Sequence, residues 1–184
     1  IQLSARVCAG DSGHAGLAFV EDLHLISSAN PWDRRFGAYL YNNAVVVAGL
    51  RAASRLADHF NQPEAAAWQA LADRILEYGI LAATTPDGSR PGLYDPSLGR
   101  FLEGRRVAKR PDVWPAGPDD WMDQFRRVSA NMLALAVPYQ LLPASDPRLQ
   151  AVAHLLIDHL ESHRKLSGLS IPRSLPERST VRAN

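Results

Sequence analysis

A single cysteine, Cys8, stands in 184 residues. One thiol makes no internal disulfide, so folding does not depend on an oxidising compartment. An excess of one charge is also missing. Twenty basic against 19 acidic side chains leave a net charge of +1, too little field to favour nucleic acid or an anionic membrane as partner. Long hydrophobic runs are absent too. The most apolar stretch, Ala44 to Ala57, is broken by Arg51, Ser54 and Arg55, and falls short of the ~20 apolar residues a membrane span needs. The first residues, Ile1-Gln2-Leu3, include no initiator methionine and no basic-then-apolar leader. No signal peptide is expected, which leans towards the cytoplasm, and the chain is expected to be a piece of a longer protein. Finally, no segment alternates polar and apolar residues long enough to specify a sheet.

What is present is an ordinary globular composition, 46% apolar and 21% charged, arranged with helical spacing. A first helix is expected over about Ala15 to Ile26, ended by the loop Ser27 to Pro31. The second, about Ala38 to Phe60, has the strongest pattern. Tyr41, Val45, Gly49, Ala52, Leu56 and Phe60 fall on one side. Val46, Leu50, Ala53 and Ala57 widen that stripe, so burial over much of its girth is expected. A turn at Asn61-Gln62-Pro63 leads to a third helix, about Pro63 to Ala82, antiparallel to the second. Residues 84–118 read as a long irregular loop, with a small hairpin around Asp95 to Gly99. A fourth helix is expected over about Asp119 to Leu141, with Pro138 kinking or ending it. A fifth runs from about Pro147 to Arg164, capped by Asp146 and burying Leu149, Val152, Leu155, Leu156, Ile157 and Leu160. Residues 168–184 read as an irregular tail. The fold class expected is all-α, one segment over 1–184 built from antiparallel helical hairpins.

The most informative stretch is Trp32-Asp33-Arg34-Arg35-Phe36-Gly37-Ala38-Tyr39-Leu40-Tyr41. A carboxylate and two guanidinium groups stand beside a large ring, just before the longest apolar helix. Sugar hydrolysis needs a carboxylate within reach of a glycosidic oxygen, and rings that stack on sugar faces. A loop that begins a helix and carries a solvated charge cluster has the same composition.

This stretch and four others resemble glycoside hydrolase family 15, the glucoamylase and bacterial trehalase-like group. The others are Gly49 to Ala57, Trp68 to Ile75, Asp95 to Phe101 and Leu142 to Arg148, and all five come in the family's order. The resemblance covers about Asn30 to Leu160. It implies part of an (α/α)6 toroid, completed by the rest of its own ring or by another subunit. It also implies hydrolysis of α-linked glucosides, α-glucan or trehalose, with inversion. Asp33 would be the proton donor, with Trp32, Arg34, Arg35 and Tyr39 shaping the sugar subsite. The implied partner is a carbohydrate, with no cofactor, no metal, no nucleic acid and no membrane.

Two residues depart from the family pattern. Asp33 stands where the family has glutamate, and is one methylene shorter. Arg34 stands at a second glutamate position. Adjacent cations lower a carboxyl pKa, the wrong direction for a general acid. Glu177, in Leu175-Pro176-Glu177-Arg178, does not match the family's base motif, so the chain alone is expected to lack the base. A second reading follows from these changes: a non-catalytic helical module that binds a sugar or a partner protein. A third is a sugar epimerase-like enzyme with a different acid–base pair.

Other constellations carry less. His159 and His163 are four apart, as metal ligands on one helix face are. With His154 and Asp158, and no cysteine or glutamate motif nearby, they read as an exposed polar face. Asp119, Asp120 and Asp123 favour the positive end of a helix dipole. Trp114 and Trp121 read as packing residues. Gly10-Asp11-Ser12-Gly13-His14 has no strand before it, as a serine nucleophile turn requires.

Overall fold

The computed structural model describes residues 17–29, 36–84, 92–106, 128–167 and 174–175. Eight strands occur among them: β1 (Leu17–Val20), β2 (Leu25–Ala29), β3 (Phe36–Tyr39), β4 (Tyr94–Asp95), β5 (Arg100–Phe101), β6 (Gly104–Arg106), β7 (Val128–Ser129) and β8 (Ser174–Leu175). The helices are α1 (Leu40–His59), α2 (Ala65–Arg74) and α3 (Pro147–Ser167). β1, β2, β3 and β6 form one antiparallel sheet in that order, and β4–β5 and β7–β8 are two-stranded pairs. The fold is therefore mixed, which overturns the all-α class and the toroid of helical hairpins.

The first departure lies at the expected Ala15–Ile26 helix. Its place is taken by a hairpin of β1 and β2, with Leu17 opposite Ser28 and Val20 opposite Leu25. Short apolar runs fit either period, and tertiary pairing decides between them. The connection Glu21–Leu23 is one 3-10 turn, closed by His24 in the left-handed region at φ 52. Histidine tolerates that region better than bulky or β-branched residues.

Helix α1 forms as expected but two residues late, because Phe36 to Tyr39 first continue the sheet. Its buried side is Leu40, Asn43, Ala44, Val46, Val47, Leu50, Ser54 and Ala57. The expected stripe of Tyr41, Val45, Gly49, Ala52, Leu56 and Phe60 faces outward instead. The helix carries apolar residues on two sides, and the side with Val46, Val47 and Leu50 joins the core. Its end is a Schellman cap. Asn61 takes φ 53, its N–H reaches the Asp58 carbonyl at 2.9 Å, and Gln62 N–H reaches the Ala57 carbonyl at 2.8 Å.

α2 begins at Ala65 and lies antiparallel to α1. Ser54 Oγ donates to the Ala65 carbonyl at 2.7 Å, and Arg51 pairs with Asp73 at 2.7 Å. Contacts thus spread apart along the two chains, as in a helical hairpin. The helix then widens into a π segment, Ile75–Ile80, marked by Leu81 N–H to the Leu76 carbonyl at 2.8 Å. Gly79 lies against the β1–β2 turn so closely that a Cβ there would stand 2.4 Å from the His24 carbonyl oxygen. Ile75 and Ile80 are buried, whereas Tyr78 is 58% exposed.

Within the stretch expected to be irregular, residues 94–106 hold β4, β5 and β6. The fourth helix is not formed where it is described. Residues 128–129 are a strand, and Ala130–Leu135 is a 3-10 helix capped by Ser129 Oγ, which accepts from Asn131 N–H. Residues 119–127 lie outside the described residues. α3 is present with the expected start, but Ile157 and Leu160 are 50% and 36% exposed rather than buried.

One core joins these layers: Leu25 and Ile26 of the sheet, Val47 and Leu50 of α1, Ile75 and Ile80 of the π segment. Phe101, Met132, Leu135, Leu149 and Val152 complete it.

Candidate functional site

Of the five site residues expected, Trp32, Asp33, Arg34 and Arg35 lie outside the described residues, and Tyr39 is described. The flanks of the four are described. Ala29 ends β2, Phe36 begins β3, and the two are paired across the strands. The six positions between them therefore join adjacent strands at one end of the sheet.

Tyr39 ends β3 and stands at the N-cap of α1, with extended backbone at φ −89 and ψ 138. Side chains alternate along a strand. Ala38 points to the core and is fully buried, while Tyr39, on the opposite face, is half-buried. Gly104 of β6 lies opposite Tyr39, and Ser28 lies opposite Gly37 on the same face. Ser28 Oγ accepts from Asn42 Nδ2 at 2.5 Å. Arg105 lies opposite Ala38, and burial lowers its guanidinium pKa. The Glu103 carbonyl accepts from Leu40 N–H at 2.8 Å.

The junction between β3 and α1 is held by Asn43, which is fully buried. Its Oδ1 accepts from Ile26 N–H at 2.7 Å. Its Nδ2 donates to the carbonyls of Ile26 and Tyr39, both at 2.9 Å. Sequence reasoning passed over Asn43. The available signal was a lone amide among the apolar residues of the helix's inner side.

Tyr39 and Tyr41, adjacent in the aromatic motif, diverge across the strand-to-helix change. Tyr41 lies on the outer side of α1, its ring centroid 6.2 Å from that of Tyr139. Tyr139 donates its hydroxyl to that of Tyr41 at 3.3 Å. That bond, and burial after it, raise the Tyr139 phenol above its ordinary value.

The remaining motifs of the family resemblance meet in pairs, and their visible roles are structural. Arg51, from the second, pairs with Asp73, from the third, and Gln69 adds bonds of 3.0 and 2.9 Å to the same carboxylate. Partial burial raises the Asp73 pKa, but the bonds from Arg51 and Gln69 outweigh it and leave the carboxyl below its ordinary value. In the fourth motif, Asp95 Oδ1 accepts from Ser97 N–H at 2.9 Å and Ser97 Oγ at 2.6 Å. This closes the β4–β5 turn, with Gly99 at φ 64. In the fifth, Asp146 caps α3 through Arg148 N–H at 2.9 Å and takes two bonds from the Arg148 guanidinium. That guanidinium lies 5.2 Å from the Phe101 ring centroid and 5.5 Å from that of Tyr94. The fourth and fifth motifs are thus joined by one cation over two rings.

Among the described residues, no group of three or more histidine, cysteine or acidic side chains is placed to hold a metal. No described helix is long and apolar enough to cross a membrane. Compared with known proteins, the chain matches no family model, no curated protein and no solved structure.

Proposed function

We propose that this chain carries the acid side of a sugar-hydrolysing site that acts on α-linked glucosides, α-glucan or trehalose, by inversion. Asp33 donates a proton to the leaving oxygen. Trp32, Arg34, Arg35 and Tyr39 shape the sugar subsite. A second carboxylate, ~6.5–9.5 Å from the first, activates water in such a reaction, and it has no assigned residue here. The observation that carries the reading is Trp32-Asp33-Arg34-Arg35 followed by Gly37, Tyr39 and four further motifs in the order of the glucoamylase group. The reading concerns chemistry alone, since the sheets overturn the helical toroid. Two features support it. Ala29 and Phe36, which flank residues 30–35, are paired across β2 and β3. Tyr39 presents a half-buried ring beside Gly104, a residue with no side chain to crowd a ligand.

The second reading is a sugar-binding or partner-binding module without catalysis, favoured by Asp33 and Arg34 at two glutamate positions. One experiment separates the two. Purified protein is assayed for glucose release from maltose and trehalose, beside calorimetric titration with the same sugars. Release abolished by Asp33→Asn supports the enzyme. Sugar binding without release, weakened by Tyr39→Ala, supports the module. Release that Asp33→Asn leaves unchanged removes Asp33 from the mechanism.

A further inference from the structure

α1 carries a second apolar face, partly exposed and met among the described residues by Tyr139 at its Tyr41 end. Tyr41, Val45, Leu56 and Phe60 are 41%, 38%, 39% and 59% exposed. Gly49 and Ala52 lie exposed between them, and a Cβ built on Gly49 would meet nothing within 4 Å. The strip runs nearly the full 20-residue helix, a length of ~28 Å at the usual helical rise. A continuous apolar strip of this kind marks an interaction surface more often than scattered exposed residues do.

The strip is symmetric about the point between Leu50 and Arg51, one residue past the middle of the helix. Tyr41 and Phe60 are equally distant from it, as are Val45 and Leu56, and Gly49 and Ala52. Reversing the helix therefore sets an aromatic against an aromatic, a branched aliphatic against a branched aliphatic, and small against small. That is the self-complementarity an isologous two-fold interface requires. We propose that this strip pairs with the same strip of a second copy of the chain, antiparallel, about a two-fold axis between Leu50 and Arg51.

Gly49 and Ala52 at the centre let the two helices approach to ~8–10 Å between axes. Tyr41 and Phe60 close the ends, and Tyr139, bonded to Tyr41, broadens each end. Complete cover of the strip removes at most about 1,000 Å² from water over the two copies, the size of a weak interface. A micromolar dimer is expected. The inference does not depend on the sugar-site reading.

Sedimentation equilibrium of the purified chain tests it, with mass followed from low to high micromolar concentration. The mass is expected to double over that range. Leu56→Asp combined with Phe60→Asp should hold it at one chain, with the far-ultraviolet dichroism unchanged. Register is tested separately on a Cys8→Ser background. Under mild oxidation, Val45→Cys mixed with Leu56→Cys should give a crosslinked dimer, and either variant alone should give little. A single-chain mass at every concentration, as when another segment or another protein covers the strip, overturns the proposal. So does crosslinking of Val45→Cys alone that matches the mixture.

Discussion

Asn43 holds the backbone of Ile26 as a neighbouring strand would, offering an acceptor to its N–H at 2.7 Å and a donor to its carbonyl at 2.9 Å. β3 pairs with β2 only at Ser28 and Ala29, so one helical side chain completes the ladder where β3 turns into α1. Replacing it with leucine leaves two buried backbone groups without this partner, at ~1–3 kcal/mol each. Asn43→Leu should lower unfolding free energy by roughly 2–5 kcal/mol, read as a lower urea midpoint. A midpoint equal to the parent's would show that water replaces the amide.

Two glycines in helical segments should respond with opposite signs. At Gly79 an added Cβ meets the His24 carbonyl oxygen at 2.4 Å and Leu25 Cδ2 at 2.6 Å, so Gly79→Ala should destabilise by ~1–3 kcal/mol. At Gly49 the space is open, and Gly49→Ala should stabilise the monomer by ~0.5–1 kcal/mol. Thermal unfolding at a concentration where the chain sediments as one copy measures both.

Acid should weaken the link between α3 and the β4–β5 hairpin. The hydrogen bonds from Arg148 hold the Asp146 carboxyl below its ordinary 3.8. A depressed carboxyl binds fewer protons folded than unfolded, so stability rises with pH across its titration. The contribution is complete above the unfolded value and is lost as pH falls from about 4 through the lowered folded value. Urea midpoints taken from neutral pH downward should show this slope. Asp146→Asn, which cannot titrate, should flatten part of it.

Tyr139 owes its raised phenol pKa first to the hydrogen bond with Tyr41. Tyr41→Phe removes that partner's hydroxyl and keeps its ring. The Tyr139 ionisation should then move down, towards the ordinary 10.0, in an ultraviolet difference titration. No movement would mean that burial, the second cause, dominates.

The helices were legible where their ends are chemically marked. Asp146-Pro147 announced α3, and the Asn61-Gln62-Pro63 turn announced the α1–α2 hairpin. The large sheet was not legible, because β1 and β2 are short and their apolar residues also satisfy helical spacing. β6 has only three residues, and pairing with β3 rather than its own pattern makes it a strand. The inner side of α1 was misassigned because both sides are apolar, so periodicity does not say which meets the core. Of the expected site, only Tyr39 lies among the described residues, at the end of β3, and Asn43 was overlooked because helical patterns weigh apolar residues.

The pairing of Ala29 with Phe36, backed by Asn43, has a consequence for how this protein can change. Both ends of the six-residue connection 30–35 are fastened by residues outside it. Any replacement of that length need only bridge strand partners ~5 Å apart. Length rather than sequence is therefore what the scaffold asks of that connection, since the hydrogen bonds on both sides of it are made without it.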